Sequence, residues 1–479
     1  ARYILWLNGV EVSRGPCRFD PKSPSFDSID ITSFMKQGLN AVVVMVMSHG
    51  SNGKMMNHAP GLTAEIDLLD QSQTTRTIWT DESWKWNNHT RFMPPVQDWG
   101  VVCDRLDARI DDGDWRSAEY DDRHWQSAVS IDGRQWGRLV PRSIPLLKES
   151  EMAWTALNKN ALPVKLKQGQ SYIIQAREML QGFPVIRLTA EEGAVIQFEF
   201  GYTGDSLTIG NTYGSACFYT AHSGDQTYIP TDSYGFRYLK ISVLNGSIYS
   251  PYNVLLTDIQ LVDRRFPYLE TGAFACNDPF LNELWQRSIR TLKLNCEDGY
   301  MDCALREKVE WMGDAAIVQY PLSLAAFAIA DGAGIPRSDS GLMISMLRHI
   351  ALSQSDSGMF KAHHPSDRFD IHAYIEDYSC LWVQALRQVY ELTANLALVD
   401  ELWQPLKKQM QWFADHRSAN GLVYGREFTF MDNPLAYCYC NGATLNAFVC
   451  KAFRDAAFLA SVKKDFQAEK SYSRLAEEI

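Results

Sequence analysis

The sequence predicts a multidomain protein in which β-sandwich, jelly-roll-like modules precede an all-α domain. Three observations predict it. Up to about residue 267, short apolar runs alternate with turn-rich segments, as antiparallel sheets require. From Phe274 the apolar period changes to that of a helix and keeps it to the last residue. The chain has 479 residues, 46% of them hydrophobic, which is more than one domain usually holds and too apolar for a disordered chain.

The β part begins with Tyr3–Leu7, a strand entering an Asn8-Gly9 turn, so the chain is expected to start inside a domain. A second apolar run, Ala41–Met47, lies between the turn-rich segments Pro21–Ser25 and Ser48–Gly53. Two Trp-x-x-Ala copies follow, Trp115 to Ala118 and Trp125 to Ala128, in an Asp-rich frame that includes Asp121 and Asp122. Such acids bind calcium or cap turns; the favoured reading is that the tryptophans anchor an irregular loop while the acids cap its turns. Leu139–Leu147, punctuated by prolines, has the character of a linker. A second β region then shows alternation in Val185–Leu188 and Val195–Phe200, a turn at Glu192-Gly193 and a strand-like Phe236–Leu244.

The α part opens where Asn277 or Asp278 can cap a helix with Pro279 near its first position. Leu281, Leu284, Trp285, Ser288, Ile289 and Leu292 then fall at helical spacing. Tyr378, Leu381, Trp382, Ala385, Leu386 and Val389 repeat the pattern, and the residues from Gly442 onward are helix-like.

Composition narrows the partners. A formal net charge of −11 and the lack of a basic patch remove nucleic acid from the expected partners. The most apolar stretch, Ile317 to Ala330, is about half a bilayer span and is interrupted by Gln319, so no membrane insertion is expected. Ten cysteines in such a chain lack the density of a disulfide framework and are expected mostly as core thiols. Cys438 and Cys440 form at most half a metal site, with no second pair at suitable spacing, so no metal is expected at them; glycosidic hydrolysis by carboxyl groups, the chemistry suggested by residues 300–314, needs no cofactor. Compartment and oligomeric state stay open, a homodimer included.

The most unusual segment is Tyr300 to Asp314, YMDCALREKVEWMGD, with four carboxylates, an arginine and a tryptophan between apolar stretches. On a helix beginning near Ala304, Glu307, Trp311 and Asp314 share one face, with Asp302 just before it and Arg306 beside Glu307. Glycosidic cleavage needs these types: a protonated carboxyl for the leaving oxygen, a second carboxylate to activate water or attack carbon, and fixed polar groups on the hydroxyls. The competing account is a solvated helix with local Glu–Lys and Arg–Glu pairs. Cys303 as a nucleophile needs a histidine partner that sequence does not supply.

The pattern Asp-Cys-x-x-Arg-Glu-Lys-x-x-Trp-x-Gly-Asp at Asp302 to Asp314 resembles the motif of bacterial α-L-rhamnosidases of glycoside hydrolase family 78. The LWLNG strand, residues 107–125, Phe236–Leu239 and CNDPFLNELW at 276–285 carry the resemblance over nearly the whole chain. It implies Glu307 as general acid, with Asp302, Arg306, Trp311 and Asp314 lining a rhamnose subsite. It also implies β-sandwiches ahead of a six-hairpin (α/α)6 barrel, and hydrolysis of terminal α-L-rhamnosyl residues of an oligosaccharide or glycoside with inversion. The expected domains are a galactose-binding-like sandwich over 1–138, a linker over 139–159, a second sandwich over 160–267, and the first part of the barrel over 268–479.

This chain departs from the motif at Ala304, where proline is usual, and at Ile375, where a tryptophan normally packs on the sugar. About 205 residues follow Phe274, whereas twelve helices and their connections need roughly 350. The chain is therefore expected to be truncated at both ends, with the catalytic base beyond residue 479; neither Glu427 nor Glu376 is assigned that role. His363, His364 and His372 with Asp367, Asp370, Glu376 and Asp377 lie close in sequence without helical metal-ligand spacing, which favours a polar loop at the barrel mouth. His363, His364, Asp370 and Ile375 are candidate sugar contacts, and Phe428, Phe430 and Asp432 either line the same pocket or belong to the core. Two rival functions remain: a related hydrolase for another deoxysugar or a uronate, and a non-catalytic carbohydrate-binding protein.

Overall fold

Asn8 and Gly9 both adopt positive φ, 52° and 84°, so the chain reverses in two residues and Arg2–Leu7 pairs antiparallel with Val10–Gly15. The other edge of Arg2–Leu7 pairs with Val42–Met47, giving a three-stranded sheet. The computed structural model describes residues 2–479 apart from 49–55, 57–59, 70–74, 89–91, 94–95, 99–100, 111–112, 159, 205–215, 245–251, 331–335, 339, 367–373, 427–428 and 431–441. Ile4 and Trp6 are buried beneath this sheet, and Trp115 meets Trp6 edge-on with ring centroids 5.4 Å apart. Tyr120 and Trp125 pack against the same cluster, so both expected tryptophans anchor their loop. Asp107 and Asp121 each accept the backbone N–H two residues on, from Arg109 and Arg123, as turn-capping acids do.

A larger sheet carries the remaining β structure. Its main path runs Arg105–Asp107, Ala216–Thr220, Val195–Gly201, Tyr234–Val243, Ser171–Ala190, Asn253–Arg265 and Lys148–Met152. The turn expected at Glu192-Gly193 is present, with Gly193 at φ 86°. Ile196, Phe198 and Phe200 alternate inward on Val195–Gly201 and are essentially fully buried. Phe198 stacks on Tyr228 at 4.6 Å and Phe200 on Tyr234 at 4.3 Å. Each such ring removed from water contributes about 1.5–3 kcal/mol. Within the segment expected as a linker, Lys148–Met152 and Trp154–Ala156 are strands of this sheet.

The chain divides into two compact units, one of 1–142, 151–178 and 183–262, the other of 143–150, 179–182 and 263–479. The first is rich in sheet and the second in helix. In the second, Asp278 caps α1 (Pro279–Leu294) by accepting the Phe280 N–H at 2.8 Å. Next come α2 (Met312–Asp314), a π-helical turn over Ala315–Gln319, α3 (Tyr320–Ala326) and the strand Phe327–Ala330. The apolar run Ile317 to Ala330 is thereby broken into three short pieces, and no helix among the described residues is long and apolar enough to cross a membrane.

The helices α4 (Gly341–Leu352), α5 (Glu376–Thr393), α6 (Leu396–Asp415), α7 (Ala443–Lys463) and α8 (Phe466–Glu478) complete the unit. All six residues of the stripe from Tyr378 to Val389 are buried on α5, which packs on α2, α4, α6 and α7. Trp382 fixes α5 to α4 by donating its indole N–H to Leu347 O at 3.0 Å. The eight described cysteines are unbridged; Cys438 and Cys440 lie outside the described residues.

One expectation fails. No helix begins near Ala304; residues 302–311 form a loop and helix starts only at Met312. Asp302 pairs with Val309 twice, its N–H donating to Val309 O at 3.1 Å and its Oδ1 accepting Val309 N–H at 3.0 Å. Lys308 takes φ of 55°, which a right-handed helix excludes. Closure of the loop by its own ends outweighs the helical spacing.

Candidate active site

The loop nonetheless brings the expected residues together. Glu307 N–H donates to Cys303 Sγ at 3.2 Å, turning the buried Glu307 side chain toward Trp311, whose indole N–H donates to Glu307 Oε2 at 3.0 Å. Arg306 Nη2 lies 3.0 Å from Glu307 Oε1 and 4.0 Å from Asp302 Oδ2, so one guanidinium faces both carboxyls. Burial pushes the Asp302 carboxyl up to about 6; the charges of Glu307 and Asp314 add to this, against hydrogen bonds from the Cys303 thiol and Val309 N–H. Burial and the adjacent Asp302 also raise the Cys303 thiol, which works against a nucleophilic role. Asp314, half-buried at the end of α2, completes the group.

Trp311 is held by its backbone and by its ring. It bridges to His363, and Met312 N–H donates to Ala362 O at 2.9 Å, docking the motif on the 362–363 segment. The His363 ring stands edge-on at 4.4 Å, and Tyr378 of α5 edge-on at 6.2 Å. Tyr378 also lies against Phe430, 5.6 Å between centroids. Gly313 makes this possible, since a Cβ there would fall 2.3 Å from Tyr378 Cζ.

Behind the cluster, Glu376 and Asp377 open α5, where carboxylates favour the helix N-terminus. Glu376 accepts Arg426 N–H at 2.6 Å and Thr429 Oγ1–H at 3.1 Å, and Asp377 accepts Phe430 N–H at 3.1 Å. These acids tie the segment that carries Phe430 to α5. Glu310, also in the motif, is fully buried and faces away to His349 on α4, with Oε2 3.1 Å from Nδ1.

His363, His364 and Ile375 are buried rather than set in an open polar loop, with 0%, 3% and 2% exposure. Asp367, Asp370, His372, Glu427, Phe428 and Asp432 lie outside the described residues. The described residues contain no cluster of three or more His, Cys, Asp or Glu able to hold a metal.

Comparison with known families bears directly on this loop. Residues 269–479, which include it, match the model of the bacterial α-L-rhamnosidase six-hairpin glycosidase domain, and residues 1–150 match that of the α-L-rhamnosidase N-terminal domain. The chain belongs to the bacterial α-L-rhamnosidase family, whose two domain models together match residues 1–150 and 269–479. Among curated members, an α-L-rhamnosidase of Formosa agariphila is 26% identical over 357 residues, 67% of this chain and 35% of the relative. One from Alteromonas sp. is 24% identical over 337 residues, 65% of this chain and 35% of the relative. The chain thus spans about a third of the length of these curated α-L-rhamnosidases.

Solved family members share the fold. The family 78 rhamnosidase of Bacillus sp. GL1 superposes with a TM-score of 0.85 at 19% identity, over 100% of this chain and 72% of that one. The Streptomyces avermitilis α-L-rhamnosidase complexed with L-rhamnose gives 0.75 at 16% identity, over 99% of this chain and 45% of that one. Sequence reasoning did not single out Tyr378 as a site residue of this family member, nor the role of Glu376 and Asp377 as acceptors. The one local signal for Tyr378 was a glycine in the motif, at the position its ring approaches.

Proposed function

We propose that this protein hydrolyses terminal α-L-rhamnosyl residues, as an exo-acting and inverting glycosidase, from rhamnose-bearing oligosaccharides or glycosides. The arrangement that carries the reading is Glu307 between the Arg306 guanidinium and the Trp311 indole, inside the family's motif. Glu307 is the general acid, giving its proton to the leaving glycosidic oxygen. Arg306, Asp302 and Asp314 grip the sugar hydroxyls, and Trp311 offers a flat apolar face to the ring. Ile375 and His364 contribute to the closed side of the pocket, with Ile375 against the C6 methyl.

Glu376 is not assigned as the base that activates water, because both its oxygens already accept hydrogen bonds from the 426–429 segment. In the same reading the sheet-rich part up to residue 267, with Lys148–Met152 and Trp154–Ala156 among its strands, is built of β-sandwich modules, and 268–479 contribute helices to an (α/α)6 barrel. No cofactor enters the reaction.

The test is hydrolysis of p-nitrophenyl α-L-rhamnoside by the full-length protein, with the anomeric configuration of released sugar followed by proton NMR. Release of β-L-rhamnose supports the reading. No release from this glycoside, with turnover of another deoxysugar or uronate glycoside in a parallel screen, overturns it.

A further inference from the structure

Glu310 stands inside the motif, is only 1% exposed, and has no part in the reaction proposed above. A glutamate at this depth carries a desolvation penalty that an apolar residue of similar volume would avoid. Its Oε2 lies 3.1 Å from Nδ1 of His349 on α4, while its Oε1 is shielded from solvent and has no hydrogen-bond partner among the described residues. What such a pair supplies in place of stability is a fixed register between two elements. We propose that Glu310 and His349 are a positioning pair that sets the loop of residues 302–311 and so holds Glu307 and Asp302 in place for the reaction.

The position of Glu310 in the loop carries the argument. Trp311 N–H donates to Val309 O at 3.1 Å, which makes Glu310 the middle residue of a three-residue turn. The two flanks of that turn hold the two acids. Val309 makes both of its bonds to Asp302, at 3.1 and 3.0 Å, and Trp311 donates its indole N–H to Glu307 at 3.0 Å. A rotation of the backbone at Glu310 therefore moves the partners of Asp302 and Glu307 together. The Glu310 side chain reaches α4 on the far side and opposes that rotation without touching substrate.

The other end of the pair is fixed. Leu347 O accepts the Trp382 indole N–H from α5 at 3.0 Å, and Arg348 makes two bonds of 2.8 Å to the Glu401 carboxylate of α6. His349 follows directly, buried in the last turn of α4. The histidine thus stands on a helix already tied to two neighbours, and all these residues belong to the helical unit. Met312 N–H, bonded to Ala362 O at 2.9 Å, pins the end of the loop to a different segment.

A misplacement of about 1 Å at a reacting group costs up to about 100-fold in rate. Proton donation by Glu307 matters most where the leaving group is poor, so a slack loop should be felt on a sugar aglycone more than on a nitrophenolate. A pair that merely supports the fold behaves differently. Its loss lowers the amount of folded enzyme, and kcat then falls by one factor on every substrate with KM unchanged.

The kinetic half of the test rests on the rhamnosidase reading, and the spectroscopic half does not. Full-length protein is compared with Glu310→Gln, which keeps a hydrogen-bonding partner for the His349 ring, with Glu310→Leu, which does not, and with Glu310→Leu/His349→Leu. The double variant guards against misfolding, because replacing a buried polar pair by apolar groups of similar volume is often neutral for stability. Rates are read on a rhamnosyl disaccharide and on p-nitrophenyl α-L-rhamnoside. The surroundings of Trp311 are read by fluorine NMR of protein labelled with 5-fluorotryptophan, its resonance assigned through Trp311→Phe. Expected is a fall in kcat of fivefold or more on the disaccharide in both leucine variants, a smaller fall on the nitrophenyl glycoside, and Glu310→Gln closer to the parent than to Glu310→Leu. The Trp311 resonance should move in the leucine variants and stay in Glu310→Gln. The proposal is overturned by a fall under fivefold, by a loss on the nitrophenyl glycoside as large as that on the disaccharide, by Glu310→Gln closer to Glu310→Leu, or by a Trp311 resonance that the leucine variants leave in place. Failure of the rhamnosidase reading shows instead as no turnover of either rhamnoside by the parent, and the Trp311 resonance then decides the role of the pair alone.

Discussion

The Trp311 indole N–H and the Glu307 carboxyl are joined by a hydrogen bond of 3.0 Å, so the tryptophan of the motif also orients its glutamate. His363 and Tyr378 stand edge-on to the same indole, and the orientation of Glu307 therefore depends on residues of two other segments. Removing any member of this set should act on catalysis through Glu307.

Trp311→Phe keeps a ring against His363 and Tyr378 but deletes the donor. A hydrogen bond to the protonated carboxyl of a general acid is worth about 0.5–1.5 kcal/mol, so kcat/KM should fall about 2- to 10-fold with little change in melting temperature. Steady-state kinetics on an aryl rhamnoside check this, and a change under twofold would remove the hydrogen bond from the mechanism.

Glu307→Gln should abolish most hydrolysis while L-rhamnose still binds, because general acid catalysis contributes about 10²–10⁴-fold. The loss should depend on the leaving group. A p-nitrophenolate needs little protonation, whereas an alkyl or sugar aglycone needs much, so the variant should be far more defective on a rhamnosyl disaccharide than on the nitrophenyl glycoside. Equal losses on both substrates would argue for an orienting role in place of the acid.

Gly313→Ala should destabilise the helical unit. The new Cβ would lie 2.3 Å from Tyr378 Cζ and 2.4 Å from Cε1, and overpacking of this kind costs about 1–3 kcal/mol. A double-mutant cycle isolates the cause: in a Tyr378→Leu background the alanine should cost much less. Additive effects in urea denaturation would contradict this packing account.

The local parts of the fold were legible in the sequence. The Asn8-Gly9 hairpin, the Asp278 cap with Pro279, and the buried stripe from Tyr378 to Val389 each depend on contacts within a few residues. The grouping of the motif's side chains was legible for the same reason, since Asp302, Arg306, Glu307 and Trp311 are neighbours in sequence. The geometry of the motif was not legible. Glu307 and Trp311 are four apart, as a helix would place them, yet the Asp302–Val309 pair and the docking of Trp311 on His363 impose a loop. Docking joins segments far apart in sequence, and periodicity within a window carries no trace of it. Glu376 and Asp377 show the converse: residue type suggested chemistry, while their hydrogen bonds hold backbone and Thr429.

Asp302 gives the remaining prediction, a pH dependence of stability with a defined sign. Its carboxyl is pushed up to about 6 in the folded chain, chiefly by burial, and ionises near 3.9 when unfolded. Below about pH 4 both states hold the proton and the residue carries no penalty. As the pH rises from about 4 to about 6 the unfolded chain releases its proton first, so folding binds more protons than unfolding and stability falls. A difference of about two units corresponds to about 3 kcal/mol, reached by about pH 6 and persisting above it. In the Asp302→Asn variant the amide oxygen would still accept the Val309 N–H, and the side chain could not ionise. This variant should therefore gain stability relative to the parent as the pH rises from 4 to 6, with the two curves parallel above about 7. Urea denaturation of both proteins across this range decides the matter: a difference that stays constant with pH would show that Asp302 does not take up its proton on folding.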